Sequence, residues 1–240
     1  MFTRWYALTI VPSTPSLRIA EVFASIQGEG QWVGVPSTFI RVSGCNLRCV
    51  WCDTPYASWR PEGPVVEVTA LADRVTTDHV VLTGGEPMLF DAIEPLAGLL
   101  RERGKTITIE TAGTIHRSLP CDLMSISPKL AHSTPGPEAG DWSARHERDR
   151  LNLEALRQLT RDYHHQLKFV VREPGDFDEI EALLEQIGGI TPGNVMVMAE
   201  GTDADSVRVA MRELVEPCMA RAWRLTPRLH LDLFGNTRGT

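Results

Sequence analysis

From Thr38 onward, short apolar runs rich in Val, Ile and Thr alternate with segments of helical period. This rhythm constrains the fold more than any single motif. The runs TFIRV (Thr38–Val42), VVLTG (Val80–Gly84), KTITIE (Lys105–Glu110), DLMSIS (Asp122–Ser127), QLKFVV (Gln166–Val171) and NVMVMA (Asn194–Ala199) read as strands. Their near-continuous apolar character suits parallel strands covered on both faces. Helical spacing runs over Val68–Val75, Ala92–Gly104, Leu151–Tyr163, Phe177–Gly189 and Thr202–Val215, and the last of these begins Thr-Asp, an N-cap signal. Strand-then-helix units in series predict a parallel α/β fold. Six units are too few for a closed eight-fold barrel. The expected architecture is therefore a partial, open parallel β/α barrel of about six strands, forming one domain over 1–240 with its core at 18–232.

Two stretches break the rhythm. Residues 18–37 read as a strand and a Gly-rich hairpin placed before the first barrel strand. Residues 131–150 are polar and rich in Pro and Gly, and read as a surface loop. No apolar run approaches the ~20 residues that cross a bilayer. The N-terminal MFTRWYALTIVPSTPS is too broken for a signal segment, so the cytoplasm is expected. A net charge of -7 argues against a general nucleic-acid or membrane-surface binder, while leaving room for a small anion held by a few arginines.

The loop after the first barrel strand, GCNLRCVWCDTPYA (Gly44–Ala57), holds three of the five cysteines as Cys45-x3-Cys49-x2-Cys52. It falls at the C-terminal end of a strand, where such barrels carry their active sites. Thiolates take zinc, copper(I) or iron–sulfur clusters. Structural zinc normally closes with four ligands, and here the fourth would be Asp53, a distant His, Cys121 or Cys218. A cubane cluster held by three cysteines instead keeps one iron open. The x3-then-x2 spacing resembles the radical S-adenosylmethionine superfamily. That resemblance implies a [4Fe-4S] cluster on Cys45, Cys49 and Cys52, with S-adenosylmethionine chelating the open iron. One electron then yields a 5′-deoxyadenosyl radical. Trp51 resembles the family's aromatic residue by the adenine; a plain core aromatic is the alternative.

Other strand ends fit the same resemblance. TGGEP (Thr83–Pro87) is similar to the family's GGE motif, which implies Gly84, Gly85 and Glu86 at the cofactor's aminoacyl group; a simple strand-to-helix turn is the bland reading. ETAGT and SPK close the next two strands, which makes Glu110, Ser127, Pro128 and Lys129 candidates for the ribose and carboxylate; MAEG ends the sixth strand, with Met198, Ala199 and Glu200 as candidates near the adenine, and solvated strand ends are the alternative.

A narrower resemblance lies in SIQGEG (Ser25–Gly30), FIRVSGCNLRCVWCDTPYA (Phe39–Ala57), GGEP, ETAGT and SPK, taken in order, with the terminal LHLDLFGNTRGT (Leu229–Thr240) similar to longer-tailed members. Together these resemble the 7-carboxy-7-deazaguanine synthase family of the queuosine and 7-deazapurine pathway. The resemblance implies 6-carboxy-5,6,7,8-tetrahydropterin as substrate, magnesium, an electron donor such as a flavodoxin, and a homodimer. It places Ile26, Gln27, Gly28, Glu29, Arg41, Thr83, His230 and Thr240 at the substrate, and Thr54 on magnesium. The residue types make physical sense. Glu29 and Gln27 suit the donor–acceptor edge of a pterin. A guanidinium fork such as Arg41's matches a carboxylate, and a hydroxyl suits a hard ion. The family's shorter members bring a terminal carboxylate to the substrate, whereas this chain runs ten residues past His230. Two competing readings are a glycyl-radical activase of the same superfamily and a non-catalytic zinc module.

Overall fold

The computed structural model describes residues 14–240. The first thirteen, including most of the stretch judged too broken for a signal segment, lie outside the described residues. β1 (Ser16–Ile26) and β2 (Pro36–Val42) form an antiparallel hairpin in which Val22 faces Ile40 and Ile26 faces Pro36. The turn between them carries the Gln-Gly-Glu-Gly motif. β3 (Val65–Glu67), which no sequence signal marked, pairs antiparallel with the other edge of β1.

From β2 onward the sheet is parallel. β4 (His79–Gly84), β5 (Thr106–Thr111), β6 (Leu123–Ile126), β7 (His165–Val171), β8 (Val195–Ala199) and the two-residue β9 (Arg224–Leu225) follow, in the order β3-β1-β2-β4-β5-β6-β7-β8-β9. β2 and β4 to β8 are the six expected strands, each displaced by two residues or fewer at its ends. The sheet is open, as a partial barrel requires.

The intervening helices are α1 (Val68–Asp73), α2 (Ile93–Glu102), α3 (Asp141–Asp149), α4 (Leu153–Asp162), α5 (Asp176–Ile187), α6 (Ala204–Glu213), α7 (Val215–Arg221) and α8 (Leu229–Phe234). α2 buries Ile93, Leu96, Ala97 and Leu100, a single helical stripe. Asp203 caps α6 by accepting from the Ser206 N–H at 2.9 Å. No helix of the described residues is long and apolar enough to cross a membrane.

Residues 131–150 correct the expected surface loop. Two short 3-10 turns lead into α3, and Ser133 and His146 are fully buried. Proline and glycine occur only up to Gly140, ahead of the helix. Beyond it, Trp142, His146 and Arg150 recur every four residues and form an inner face that polar composition conceals.

Alternation along the strands divides the sheet into two populations. In β7, Leu167, Phe169 and Val171 join the apolar core, which also holds Leu82, Ile109, Leu96, Leu156 and Ile180 from the other strands and from α2, α4 and α5. The alternate positions Gln166 and Lys168 are buried but polar.

Candidate active site

The polar face lines a cavity of about 500 Å³. The strand register assembles it. Arg41 of β2 is level with Thr83 of β4. Glu110 of β5 is level with Ser125 of β6, and Ser125 with Gln166 of β7. These side chains form a row across the sheet, with Lys168 two residues further along β7. Thr83 Oγ1 donates to Glu110 Oε2 at 2.9 Å, and Gln166 Nε2 donates to Ser125 Oγ at 2.8 Å.

Glu29, from the hairpin turn, enters the same cavity. Lys168 Nζ donates to its Oε2 at 2.5 Å and Arg228 Nε to its Oε1 at 3.1 Å. Burial alone would push the Glu29 carboxyl up, but these two cations outweigh it and hold it well below the usual carboxylate range. Burial would likewise lower the Lys168 ammonium, yet Glu29 and Glu110 (3.7 Å away) keep it raised. Gln27 Nε2 donates to Glu110 Oε1 at 3.3 Å. Glu110 therefore sits among the residues expected at the substrate rather than apart from them.

Arg41 is oriented by a residue that carried no sequence signal. Its Nε donates to Glu21 Oε1 at 2.6 Å, and Tyr56 donates to the same oxygen at 2.8 Å. The terminal nitrogens of Arg41 make no hydrogen bond among the described residues. The C-terminal segment folds back over this carboxylate. Arg238 reaches Glu21 and Glu62, lies over the Tyr56 ring at 4.1 Å, and Thr240 lines the cavity. His230 also lines it and packs so closely on Gly28 that a Cβ there would stand 2.2 Å from the imidazole.

The cysteine loop forms another part of the wall. Cys45, Cys49, Cys52, Trp51 and Thr54 all line the cavity, and all five cysteines are free. Burial pushes the Cys45 and Cys49 thiols up to about 12, so their thiolates need a metal's charge to form at neutral pH. Gly84 and Gly85 hold the neighbouring turn against this loop. Gly84 has φ +138°, and a Cβ on Gly85 would meet the Gly44 carbonyl oxygen at 2.1 Å. Ser127 and Lys129 also face the cavity, and Lys129 Nζ lies 5.6 Å from the centre of the Trp51 ring. Ile26, Met198 and Glu200 line it too.

Three expected contacts do not reach the cavity: Glu86, Pro128 and Ala199. Glu86 is fully buried and accepts from Met88 N (3.0 Å), Thr111 Oγ1 (2.8 Å) and Ala112 N (2.8 Å). Its carboxylate caps a turn and ties β4 to β5, and these three donors hold it away from the cavity wall. Pro128 lies between the two lining residues Ser127 and Lys129, and Ala199 is a buried strand end.

Sequence reasoning missed Lys168, Arg228, Glu21 and Ser125, and marked Asp53 only as a candidate zinc ligand. For two of them a signal was available: a lysine inside QLKFVV and a serine inside DLMSIS interrupt apolar strands, and a buried lysine requires a partner. Asp53 and Arg228 pair at 2.8 Å across 175 positions, which no local pattern encodes.

Whether the thiols suit a cluster can be judged from their surroundings. Among the described residues, no three His, Cys, Asp or Glu side chains converge on one point, as a single zinc ion requires. A cubane places each cysteine on a different iron. Five buried side-chain polar atoms lack hydrogen-bond partners among the described residues; Asn46 Oδ1 and Trp51 Nε1 belong to this loop, and Ser43 Oγ immediately precedes it. Three thiols beside unsatisfied buried groups fit a cluster with a bound cofactor.

The comparisons with known proteins agree. The model of the Radical SAM superfamily matches residues 39–129, and the open parallel sheet with its cysteine loop defines a protein of that class. The 7-carboxy-7-deazaguanine synthase of Halobacterium salinarum is 44% identical, with 94% of this chain and 93% of that protein covered. The enzyme of the same name from Rhodopirellula baltica is 41% identical, over 95% and 90%. The crystal structure of QueE from Escherichia coli superposes with a TM-score of 0.67 at 27% identity, covering 90% of this chain and 95% of that one. The chain belongs to the 7-carboxy-7-deazaguanine synthase family of radical S-adenosylmethionine enzymes. Membership carries a [4Fe-4S] cluster and S-adenosylmethionine with it.

Proposed function

We propose that this chain converts 6-carboxy-5,6,7,8-tetrahydropterin to 7-carboxy-7-deazaguanine, contracting the ring and releasing ammonia, in queuosine or 7-deazapurine biosynthesis. The observation that carries this reading is the coexistence, in one cavity, of three free thiols, a buried ionised Glu29 and an Arg41 with its terminal nitrogens unengaged. The cluster and S-adenosylmethionine supply, when bound, the one-electron chemistry that removes a hydrogen atom from the substrate.

The protein's residues bind and orient. Glu29 accepts from the pterin's N–H edge, and Gln27 completes the donor–acceptor match. Arg41, braced by Glu21, offers a fork to the substrate carboxylate. Thr83, Glu110, His230, Thr240, Ile26 and Gly28 complete that wall. Trp51, Gly84, Gly85, Ser127, Lys129, Met198 and Glu200 make up the cofactor's side. Glu86, Pro128 and Ala199 act there by shaping turns and strand ends. Thr54 supplies a hydroxyl to magnesium, a hard ion that accepts such an oxygen beside water. The reading treats residues 1–240 as one domain. Family likeness adds an electron donor such as a flavodoxin, a homodimer and the cytoplasm.

The test is anaerobic conversion of the carboxytetrahydropterin by reconstituted protein with magnesium, followed by mass spectrometry. Product should accumulate with no net consumption of S-adenosylmethionine. A fully loaded cluster that gives no product refutes the reading.

A further inference from the structure

The segment 131–150 touches the cysteine loop at the two residues that flank Cys49. The Arg48 N–H donates to His146 Nδ1 at 3.0 Å, and the Val50 N–H donates to the Ser133 carbonyl at 2.9 Å. Ser133 and His146 are joined to each other, Oγ to Nε2 at 2.9 Å, and neither is exposed. The ring is closed: loop, His146, Ser133, loop. A backbone N–H can only donate, so Nδ1 carries no proton and the neutral imidazole holds its proton on Nε2, directed at Ser133. Burial favours the neutral ring by pushing the imidazole down to about 4. Two further contacts surround the same turn. The Arg48 guanidinium lies 3.9 Å from the centre of the Trp142 ring, and Trp59 Nε1 donates to the Cys49 carbonyl at 3.0 Å.

We infer that Ser133 and His146 are positioning residues for the iron–sulfur cluster, clamping the backbone on both sides of Cys49 so that its thiol is aimed before the cluster arrives. A ligand thiol on a free loop can rotate away once its iron bond breaks. One whose neighbours are both anchored recaptures the iron. α3 presents His146, which accounts for a helix with one buried side chain where the composition suggested only a surface loop.

The inference rests on the cluster assignment and not on the pterin reaction, so its test reads iron. Holo protein is reconstituted anaerobically, iron per chain is measured, and cluster loss to an iron chelator is followed by visible absorbance. His146→Leu leaves the Arg48 N–H without an acceptor and should lose its cluster at least about tenfold faster, a change of the size that outer-shell partners make to metal affinity. His146→Asn, whose side-chain oxygen can take the place of Nδ1, should recover most of the difference. His79→Leu is the control for general destabilisation. His79 is equally buried, bonded to Ser37 and Thr108, and lines no part of the cavity. It should lower the melting temperature without hastening cluster loss. Wild-type retention in His146→Leu, or equal loss in His79→Leu, overturns the inference. If His146→Leu fails to fold, Ser133→Ala decides by the same criterion. Wild-type protein that takes up no iron refutes the cluster assignment itself, a distinct outcome.

Discussion

Lys168→Met tests the electrostatic centre of the cavity. In the native protein Lys168 Nζ lies 2.5 Å from Glu29 and 3.7 Å from Glu110, with its side chain 6% exposed and that of Glu29 15% exposed. Methionine conserves the length and removes the charge. Deleting one partner of a buried ion pair costs about 3–5 kcal/mol, because the other is stranded. Arg228 still reaches Glu29 at 3.1 Å, which argues for the lower end, about 3 kcal/mol. For a chain of this length each kcal/mol moves the melting temperature by about 3 °C, so a fall of about 9 °C is expected. The assay is thermal and urea unfolding of the cluster-free variants, completed as a double-mutant cycle with Glu29→Gln. The double variant should be more stable than additivity predicts by about 1.5 kcal/mol or more, since neither half of the pair is then abandoned. Pterin affinity, measured by calorimetry, should weaken about tenfold in Lys168→Met as Glu29 loses its brace. A melting temperature within about 2 °C of wild type, or strict additivity, would show that Lys168 does not organise Glu29.

Other perturbations separate the parts of the site. Cys45→Ala, Cys49→Ala and Cys52→Ala should each abolish iron uptake, whereas Cys121→Ala, which lies outside the cavity, should bind iron normally; equal loss in Cys121→Ala would mean that the ligand set is misassigned. Arg41→Lys keeps the charge but not the fork, and should raise the pterin KM about tenfold or more with kcat little changed. An unchanged KM would give Arg41 only its ion pair with Glu21. Burial pushes His79 down to about 4 from its ordinary 6.5, so between those values the unfolded chain binds a proton that the folded chain refuses. Stability should therefore rise with pH from 4 to 6.5 through this group and stay level above. His79→Gln should flatten part of that slope in melts taken at pH 5 and 7, and an identical slope would place the proton elsewhere.

The six parallel strands were legible because each is short, rich in β-formers and buried on both faces, so that few charges mark either face. The cysteine triplet was equally legible, since its spacing is local. What escaped was what depends on distant partners. Glu86 lies in a motif that suggests a ligand contact, yet it stays outside the cavity wall, bonded to the nearby Met88 N–H and to Thr111 and Ala112, which only the fold brings close. Arg228 matters because it meets Glu29 across 199 positions, and Glu21 because it meets Arg41 on the neighbouring strand. The helix over Asp141–Asp149 was hidden because its inner face is built from Trp, His and Arg instead of aliphatic residues.

The row Arg41, Thr83, Glu110 and Ser125 has a consequence for how such a protein can change. Each strand carries two interleaved messages, one read by the helices and one by the cavity, offset by a single residue. Slipping β5 by one position would bring Ile109 into the cavity and send Glu110 among the aliphatic side chains, so selection for a stable core also fixes the register of the cavity face. Within that fixed register the inward letters answer to one another's hydrogen bonds and to the cavity instead of to the helices. A lineage, or a designer, can therefore rewrite what the cavity recognises one strand position at a time while the barrel's spelling stays the same.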